Sequence, residues 1–208
     1  MIDLYTLNQI GLEREMWLLN EKGEILEPAL WGFPNDEFGF LVEIRSLPLE
    51  TPERLLENMI VLIKAHTKQA ETLGFQLKLS HREVIGKELV ETCFKKYSWT
   101  YLPDLTANLK PGITSTHATG VEGLEGTAGL HVHFSRHFVE GSTFLRVQLP
   151  IEKITRQMDS LFREEILQAK RILSEYEIKA HGFEYRSLPA TVDLEKVIKA
   201  SFNVLKAN

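Results

Sequence analysis

The sequence predicts an α+β fold in which helices cover one face of an antiparallel sheet and leave the other face open. Four segments alternate apolar and polar residues, as the strands of a half-buried antiparallel sheet do. Three longer segments carry apolar residues at the three- and four-residue spacing of amphipathic helices. The 208 residues are enough for a hydrophobic core without disulfides or a structural metal. We therefore expect a single domain over residues 1–208.

Each element has a local signal in the sequence. Thr51 followed by Pro52 is typical of a helix start, and Gly74 is a plausible end for that helix. The other predicted helices cover residues 87–97, 151–176 and 193–205. Strands are predicted at residues 12–19, 38–47, 75–79, 130–134 and 182–188. The segment 98–129 is rich in Gly, Thr and Pro and has no periodicity, so we expect a long loop that is functional or mobile.

Composition argues against several classes of function. Lys and Arg number 24 against 29 Asp and Glu, and no basic block stands out, so we expect no nucleic-acid partner. No apolar run reaches the length of a membrane span, and the first residues lack the apolar core of a signal peptide. The single cysteine, Cys93, cannot form an internal disulfide. We expect a soluble, cytoplasmic protein without a membrane partner.

A short sequence occurs twice. Glu43-Ile44-Arg45-Ser46-Leu47-Pro48 is echoed by Glu184-Tyr185-Arg186-Ser187-Leu188-Pro189. Each copy ends a predicted strand and precedes a predicted helix. The echo predicts two similar strand-to-helix units, and it is compatible with either duplication or shared chemistry.

Polar residues pair up on four of the predicted strands. Side chains two positions apart on a strand point to the same face. The pairs that share a face in this way are Glu13 and Glu15, Glu43 and Arg45, His131 and His133, and Glu184 and Arg186. Apolar residues fill most of the alternate positions, with Arg14 among them. The apolar face should therefore lie under the helices, and the four pairs should meet on the open face.

The chemistry of these pairs favours a metal and anion site. Any one pair is also what a solvated strand presents, and Glu43 with Arg45 could form a plain surface ion pair. Four glutamates on neighbouring strands, however, would crowd negative charge that needs a counter-ion. Divalent cations such as Mg²⁺ take carboxylate oxygens and bridge substrate phosphates. Arginines on the same face suit bidentate binding of phosphate or carboxylate.

Three segments resemble motifs of the glutamine synthetase and glutamate–cysteine ligase superfamily, and within it the small phage-type amidoligases. Gly11-Leu12-Glu13-Arg14-Glu15-Met16-Trp17 is similar to the first Glu-x-Glu strand of that superfamily. Gly129-Leu130-His131-Val132-His133-Phe134-Ser135 is similar to its Gly-(Met/Leu)-His-x-His segment, which is the most specific match. Phe183-Glu184-Tyr185-Arg186 resembles its late Glu-x-Arg strand, and Glu43-Ile44 matches a metal-carrying strand less specifically.

The resemblance implies a curved antiparallel sheet that binds ATP and Mg²⁺ or Mn²⁺. By position, Glu15 and Glu43 would hold one metal, and Glu13, His131 and Glu184 another. Arg186 would contact phosphate or the substrate carboxylate. The implied reaction joins a small-molecule or peptide carboxylate to an amine through an acyl phosphate.

Roles for the remaining candidates are expectations of the same kind. Arg45 joins Arg186 as a candidate catalytic residue. His133, Thr116 and Arg146 join Arg186 as candidate nucleotide ligands, and Thr116 and His117 would lie near substrate if the 98–129 loop closes over the site. A homo-oligomer is possible.

Three other functions fit the same residues. A guanidine kinase-like phosphotransferase would use a guanidino acceptor and make no amide. A non-catalytic module would bind nucleotide without turnover. A metal-dependent hydrolase would act without nucleotide.

Overall fold

The structure, a computed structural model, describes residues 4–36, 39–96, 113–115, 123–140 and 143–208. Within these ranges the chain has a mixed α+β fold with five α-helices, a seven-stranded sheet and a three-stranded sheet. All strand pairs described in the two sheets are antiparallel. The predicted α+β class with an antiparallel sheet is confirmed. None of the helices described is long and apolar enough to cross a membrane.

The elements follow one another along the chain with these bounds. The strands are β1 (Leu4–Leu19), β2 (Leu41–Arg45), β3 (Gln76–Lys78), β4 (Arg82–Gly86), β5 (Ile113–Ser115), β6 (Gly123–Thr127), β7 (Gly129–Glu140), β8 (Thr143–Arg146), β9 (Tyr176–Lys179) and β10 (Gly182–Pro189). The helices are α1 (Pro52–Thr72), α2 (Lys87–Lys96), α3 (Ile151–Leu161), α4 (Arg163–Gln168) and α5 (Leu194–Lys206), with a short 3-10 helix at Pro28–Trp31.

The larger sheet is organised around its two longest strands. Its strand order is β2-β1-β7-β10-β9, with β3 added beside β1 and β8 beside β7. Strand β1 pairs with β7 from Leu4 to Arg14 and with β2 from Glu13 to Trp17. The centre of the sheet is therefore formed by sequences that lie far apart in the chain.

Helices α1, α3, α4 and α5 lie against one face of this sheet. Alternate residues of the central strands supply the core on that face: Ile10, Leu12, Met16, Leu18, Val42, Ile44, Leu130, Val132, Phe134, Phe183 and Tyr185. The predicted apolar face is confirmed. Arg14 lies among these residues at 7 % exposure, and its guanidinium donates to the carbonyls of Ala190 and Val192. These hydrogen bonds give the buried Arg14 guanidinium acceptors in the segment that follows β10.

The opposite face is not wholly open, which corrects the expectation that helices cover one face only. Helix α2 and strand β4 contribute Val90, Cys93 and Ile85 to a second apolar cluster around Trp17, on the same side of β1 as Glu13 and Glu15. Trp17 is fully buried there, and its indole N–H donates to the carbonyl of Ser80. Phe40, which alternates with Val42 and Ile44 in the sequence, joins this second cluster and not their core face, since it precedes the regular part of β2. The second cluster closes one end of the open face.

The prediction of one helix from 151 to 176 is wrong. Helix α3 ends at Leu161, where Phe162 takes a non-helical backbone (φ −124°, ψ 20°), and α4 ends at Gln168. Lys170 and Ser174 then have positive φ, a backbone conformation that residues other than glycine rarely adopt. A residue in this conformation ends a helix. Tyr176 begins β9 instead of ending a helix. The predicted 98–129 loop contains regular structure in its described parts, namely β5 and β6.

Candidate functional site

The strand register brings the predicted polar pairs side by side. Arg45 on β2 lies opposite Glu13 on β1, and Glu13 lies opposite His131 on β7. Two residues further along β1, Glu15 lies opposite Glu43. On the other side of β7, Glu184 lies opposite His133. One face of four adjacent strands thus carries all four pairs.

One group of potential metal ligands, which we call the histidine cluster, consists of Glu13, His131 and Glu184. Ligand atoms of these three side chains lie within 4.8 Å of one another. Nδ1 of His131 lies 3.1 Å from Oε1 of Glu13 and 3.0 Å from Oε1 of Glu184. All three residues are buried. Three strands therefore converge on a space where two carboxylates and an imidazole face one another.

A second group, the glutamate cluster, consists of Glu13, Glu15 and Glu43. Its carboxylate oxygens also lie within 4.8 Å of one another, and all three residues are buried. The backbone N–H of Gly129 donates to Oε2 of Glu15 and fixes that carboxylate. Glu13 belongs to both clusters, so a single carboxylate joins them.

Charge crowding shifts the pKa values of these groups in opposite directions. Burial, reinforced by a hydrogen bond from Glu43 to Glu13 and by the charge of Glu13, raises the pKa of Glu43 to about 9. Burial alone would raise the pKa of Glu13, but hydrogen bonds with His131, His133 and Glu43 hold it well below its usual value. Glu13 therefore stays ionised while Glu43 keeps its proton.

The imidazole of the histidine cluster is held in its charged form. Burial would lower the pKa of His131, but the charge of Glu15 and hydrogen bonds to Glu13 and Glu184 raise it to about 9. Burial would raise the pKa of Glu184, yet its hydrogen bond with His131 and the nearby Lys179 and Arg186 lower it to about 2. Without a metal, protons on His131 and Glu43 balance part of the negative charge.

The donor set fits a hard divalent cation. Carboxylate oxygens dominate both clusters, and Mg²⁺ and Mn²⁺ favour oxygen ligands, with imidazole as an acceptable addition. Oε1 of Glu184 is buried, and no well-aligned hydrogen bond reaches it from the described residues, although Nδ1 of His131 lies 3.0 Å away and Nη1 of Arg186 lies 3.3 Å away. A buried carboxylate oxygen without a well-aligned donor is costly, and a metal cation would satisfy it. The residues present therefore fit a metal at each cluster.

Two arginines flank the clusters, one on each side. Arg45 donates from Nε to Glu13 at 2.8 Å and from Nη2 to Glu43. Arg186 donates from Nη1 to Glu177 at 2.8 Å and lies 3.3 Å from Glu184. Both guanidinium groups line a cleft of about 670 Å³, and so do the four glutamates of the clusters, Glu13, Glu15, Glu43 and Glu184. A cleft of this size holds a ligand of nucleotide dimensions.

The remaining predicted residues lie at the edge of the cleft or outside the described residues. His133 lines the cleft, and its Nδ1 lies 3.3 Å from Nε2 of His181. Arg146 is not among the lining residues, and its guanidinium donates to the carbonyls of Ala180 and Gly182. The role of Arg146 as a phosphate ligand stays a prediction, and two of its N–H groups already donate to the backbone. Thr116 and His117 lie outside the described residues.

Sequence reasoning missed three residues on one strand and its turn. Glu177, Lys179 and His181 alternate with Tyr176, Ile178 and Ala180, and the first three line the cleft. Nζ of Lys179 lies 2.8 Å from Glu177 and 3.0 Å from Glu184. The alternation was visible in the sequence, but the segment was divided between the end of a predicted helix and an unassigned stretch.

Arg171 was also missed, and no local pattern indicates it. It precedes β9 in an irregular segment, and its Nη2 donates to the carbonyl of Arg186 at 2.7 Å. Burial lowers the pKa of Arg171, and the charges of Glu15 and Glu175 oppose that effect. Arg171 thus adds a cation behind the clusters and fixes the backbone that carries Arg186.

A comparison of the chain with protein-family models, with curated proteins and with solved structures finds no significant match.

Proposed function

We propose that this chain is an ATP- and divalent-metal-dependent carboxylate–amine ligase that forms an amide or peptide bond through an acyl phosphate. The observation that carries the proposal is the pair of carboxylate clusters that share Glu13 and lie between Arg45 and Arg186. The proposal includes the finer fold assignment, a curved sheet of the kind found in glutamine synthetase catalytic domains. It rests on the motif resemblance and on the fit of the site to the chemistry.

The proposed reaction has two steps on the substrates. A carboxylate oxygen attacks the γ-phosphorus of ATP, and ADP leaves. An amine then attacks the acyl carbon, inorganic phosphate leaves, and the nitrogen loses a proton. In both steps negative charge accumulates on phosphoryl and carboxylate oxygens, so the site needs fixed cations that neutralise this charge.

The residues of the cleft supply that neutralisation and the positioning. Glu13, Glu15, Glu43, His131 and Glu184 would hold Mg²⁺ or Mn²⁺. The bound cation would act as a Lewis acid toward phosphoryl oxygens. Arg186 presents a guanidinium suited to bidentate binding of phosphate oxygens. Arg171 donates to the backbone carbonyl of Arg186 and so helps to fix the position from which the Arg186 guanidinium extends.

Hydroxylamine trapping tests the proposal. The full chain is incubated with ATP, Mg²⁺, hydroxylamine and one acyl donor from a panel of acetate, L-glutamate and N-acetyl-alanyl-alanine. We expect a hydroxamate to accumulate with ADP, to require both ATP and the metal, and to disappear in Glu184→Gln. Glu152→Gln, a change at an exposed surface glutamate, is the matched control and should keep the activity.

Other outcomes point to other functions. Phosphorylation of arginine or creatine without hydroxamate would indicate a guanidine kinase-like enzyme. Stabilisation by Mg²⁺ and ATP without any turnover would indicate a binding module. Hydrolysis that needs metal but no nucleotide would indicate a hydrolase.

A further inference from the structure

The two repeated segments occupy equivalent places on either side of the β1–β7 pair. Glu13 and His131 lie opposite each other at the centre. Arg45 lies opposite Glu13 on the outer side of β1. On the outer side of β7, the register shifts between Tyr185 and Leu188, which places Arg186 beside His131. An approximate two-fold axis normal to the sheet therefore passes between Glu13 and His131.

The same relationship holds for the glutamates of the two repeats. Glu43 lies opposite Glu15 of β1, and Glu184 lies opposite His133 of β7. Glu15 is two residues beyond Glu13, and His133 is two residues beyond His131. The two-fold axis therefore relates Glu15 to His133, and it relates Glu43 to Glu184. The repeats thus build two halves of one site, with carboxylates on one central strand and imidazoles on the other.

The serines of the two repeats contact different neighbours: Ser46 bonds to the central strand β1, and Ser187 bonds to the segment before the outer strand β9. The Ser46 hydroxyl accepts a hydrogen bond from the N–H of Leu12 at 2.8 Å. The Ser187 hydroxyl accepts one from the N–H of Glu175 at 3.0 Å. The helices that follow the repeats, α1 and α5, pack against each other. The equivalence of the two repeats therefore rests on the strand register and on the helices that follow them, and the serine contacts do not share it.

Arg45 and Arg186 consequently lie on opposite sides of the metal clusters. Their strands are three strand spacings apart, which corresponds to about 14 Å across the sheet. Phosphoryl transfer brings the attacking and leaving oxygens into line on opposite sides of phosphorus. A phosphoryl group above the clusters would thus have its leaving group toward one arginine and its nucleophile toward the other.

The two sides differ in their positive charge. Lys179 accompanies Arg186 on the β9 and β10 side of the cleft. On the β2 side, Arg45 is the sole Lys or Arg among the described residues that line the cleft. Several cations suit a polyphosphate, whereas a single guanidinium suits a single carboxylate.

Arg45 also has the freedom to bind a ligand. Its side chain is 64 % exposed, and within the described chain its Nη1 has no hydrogen-bond partner. Gly11, Ser46 and Pro48 also line the cleft, and Ser46 and Pro48 follow Arg45 closely in the chain. We infer that Arg45 binds the carboxylate that attacks ATP, as the counterpart of Arg186 on the nucleotide side. This inference rests on the proposed ligase function and assigns one substrate to each half of the site.

Separate measurements on the two substrates test the inference in the full chain with Mg²⁺. The variants are Arg45→Met, Arg45→Lys, Arg186→Met and the control Arg156→Met, whose arginine is exposed and pairs with Glu152 on a helix. Affinity for a non-hydrolysable ATP analogue is measured by calorimetry. The KM for the acyl donor is measured by hydroxamate formation with the best donor of the acetate, L-glutamate and peptide panel.

We expect Arg45→Met to raise the KM for the acyl donor by about tenfold to a hundredfold, the loss typical of a removed charge-assisted hydrogen bond. Arg45→Lys should restore part of that loss, and the analogue should bind Arg45→Met as it binds the unmodified chain. Arg186→Met should weaken analogue binding instead.

Two results would overturn the assignment. One is an unchanged KM for the acyl donor in Arg45→Met; the other is a loss of analogue affinity in Arg45→Met as large as in Arg186→Met. A failure of the ligase proposal itself gives a different result, because the unmodified chain would then form no hydroxamate with any donor.

Discussion

The carboxylates of Glu43 and Glu13 lie within 4.8 Å of each other across the β1–β2 pair, so a proton on Glu43 would be shared with Glu13 in a hydrogen bond. Burial and the ionised Glu13 raise the pKa of Glu43 to about 9, while Glu13 remains charged. The two carboxylates thus avoid full mutual repulsion without a metal. A divalent cation would take the place of that proton, so metal binding and proton release are linked.

The first prediction follows from this linkage. The folded-state pKa of Glu43 lies above its ordinary 4.5 and that of His131 above its ordinary 6.5, each at about 9. Between pH 6.5 and pH 9, the folded chain therefore holds protons on Glu43 and His131 that the unfolded chain has lost. Stability without metal should fall as pH rises from 6.5 to 9, by up to about 1.4 kcal/mol per pH unit for each proton.

Urea unfolding in EDTA at several pH values measures this slope. Glu43→Gln should flatten it, whereas Glu152→Gln, at an exposed surface position, should not. Added Mg²⁺ should stabilise the chain more at pH 9 than at pH 6.5, because it no longer competes with the two protons. A metal-free stability that rises over this range would contradict the protonation states assigned here.

The second prediction concerns the carboxylate that joins the clusters. Glu13 contributes to both clusters, whereas Glu184 contributes to the histidine cluster and Glu15 to the glutamate cluster. Glu13→Gln should therefore weaken the binding of both metal ions, and Glu184→Gln or Glu15→Gln should weaken one. Titration with Mn²⁺ followed by electron paramagnetic resonance counts the ions. Equal effects of all three variants would mean that the clusters do not act as two sites.

The third prediction uses the tight space beside His131. A Cβ at Gly129 would lie 2.6 Å from Nε2 of His131 and 3.0 Å from Nη2 of Arg171. Gly129→Ala should displace the imidazole and reduce Mn²⁺ affinity, by about tenfold if one ligand is misplaced. Gly86→Ala is the control, since a Cβ there meets nothing within 4 Å. Unchanged Mn²⁺ affinity in Gly129→Ala would argue against His131 as a ligand.

The fourth prediction concerns the buried cation on the helix-covered face. Arg14 donates to the carbonyl of Ala190 from Nε at 2.9 Å and from Nη2 at 2.7 Å, and to that of Val192 at 3.0 Å. Arg14→Met would leave both carbonyls without donors, at a cost of about 2–4 kcal/mol of unfolding free energy. Arg156→Met, at an exposed helix position, should change stability by less than about 0.5 kcal/mol. Urea unfolding of both variants measures the difference, and equal stabilities would contradict a supporting role for Arg14.

The faces of the central strands could be predicted because a strand has a period of two residues. Leu12 and Leu130 lie in the core beneath the helices, and Glu13 and His131 lie together on the other face, as alternation indicates. The period of two residues does not predict which strands pair with each other. The β1–β7 pair joins segments more than a hundred residues apart, and no local pattern encodes that register.

The irregular features were the least predictable. The bulge that places both Arg186 and Ser187 beside His131 depends on the pairing of β10 with β7. The break at Phe162 interrupts a sequence whose apolar spacing continues on either side, so periodicity alone predicted one long helix. Lys179 was missed because the predicted helix included Tyr176, the first residue of β9, and residues 177–181 were assigned to no element.

A crystal structure with Mn²⁺ and a non-hydrolysable ATP analogue tests the central claim most directly. Anomalous scattering from manganese should give two positions that share Glu13, one also touching His131 and Glu184 and the other Glu15 and Glu43, with phosphates near Arg186. Manganese bound away from Glu13, or phosphates bound outside the cleft, would contradict a nucleotide-dependent metal site on this face.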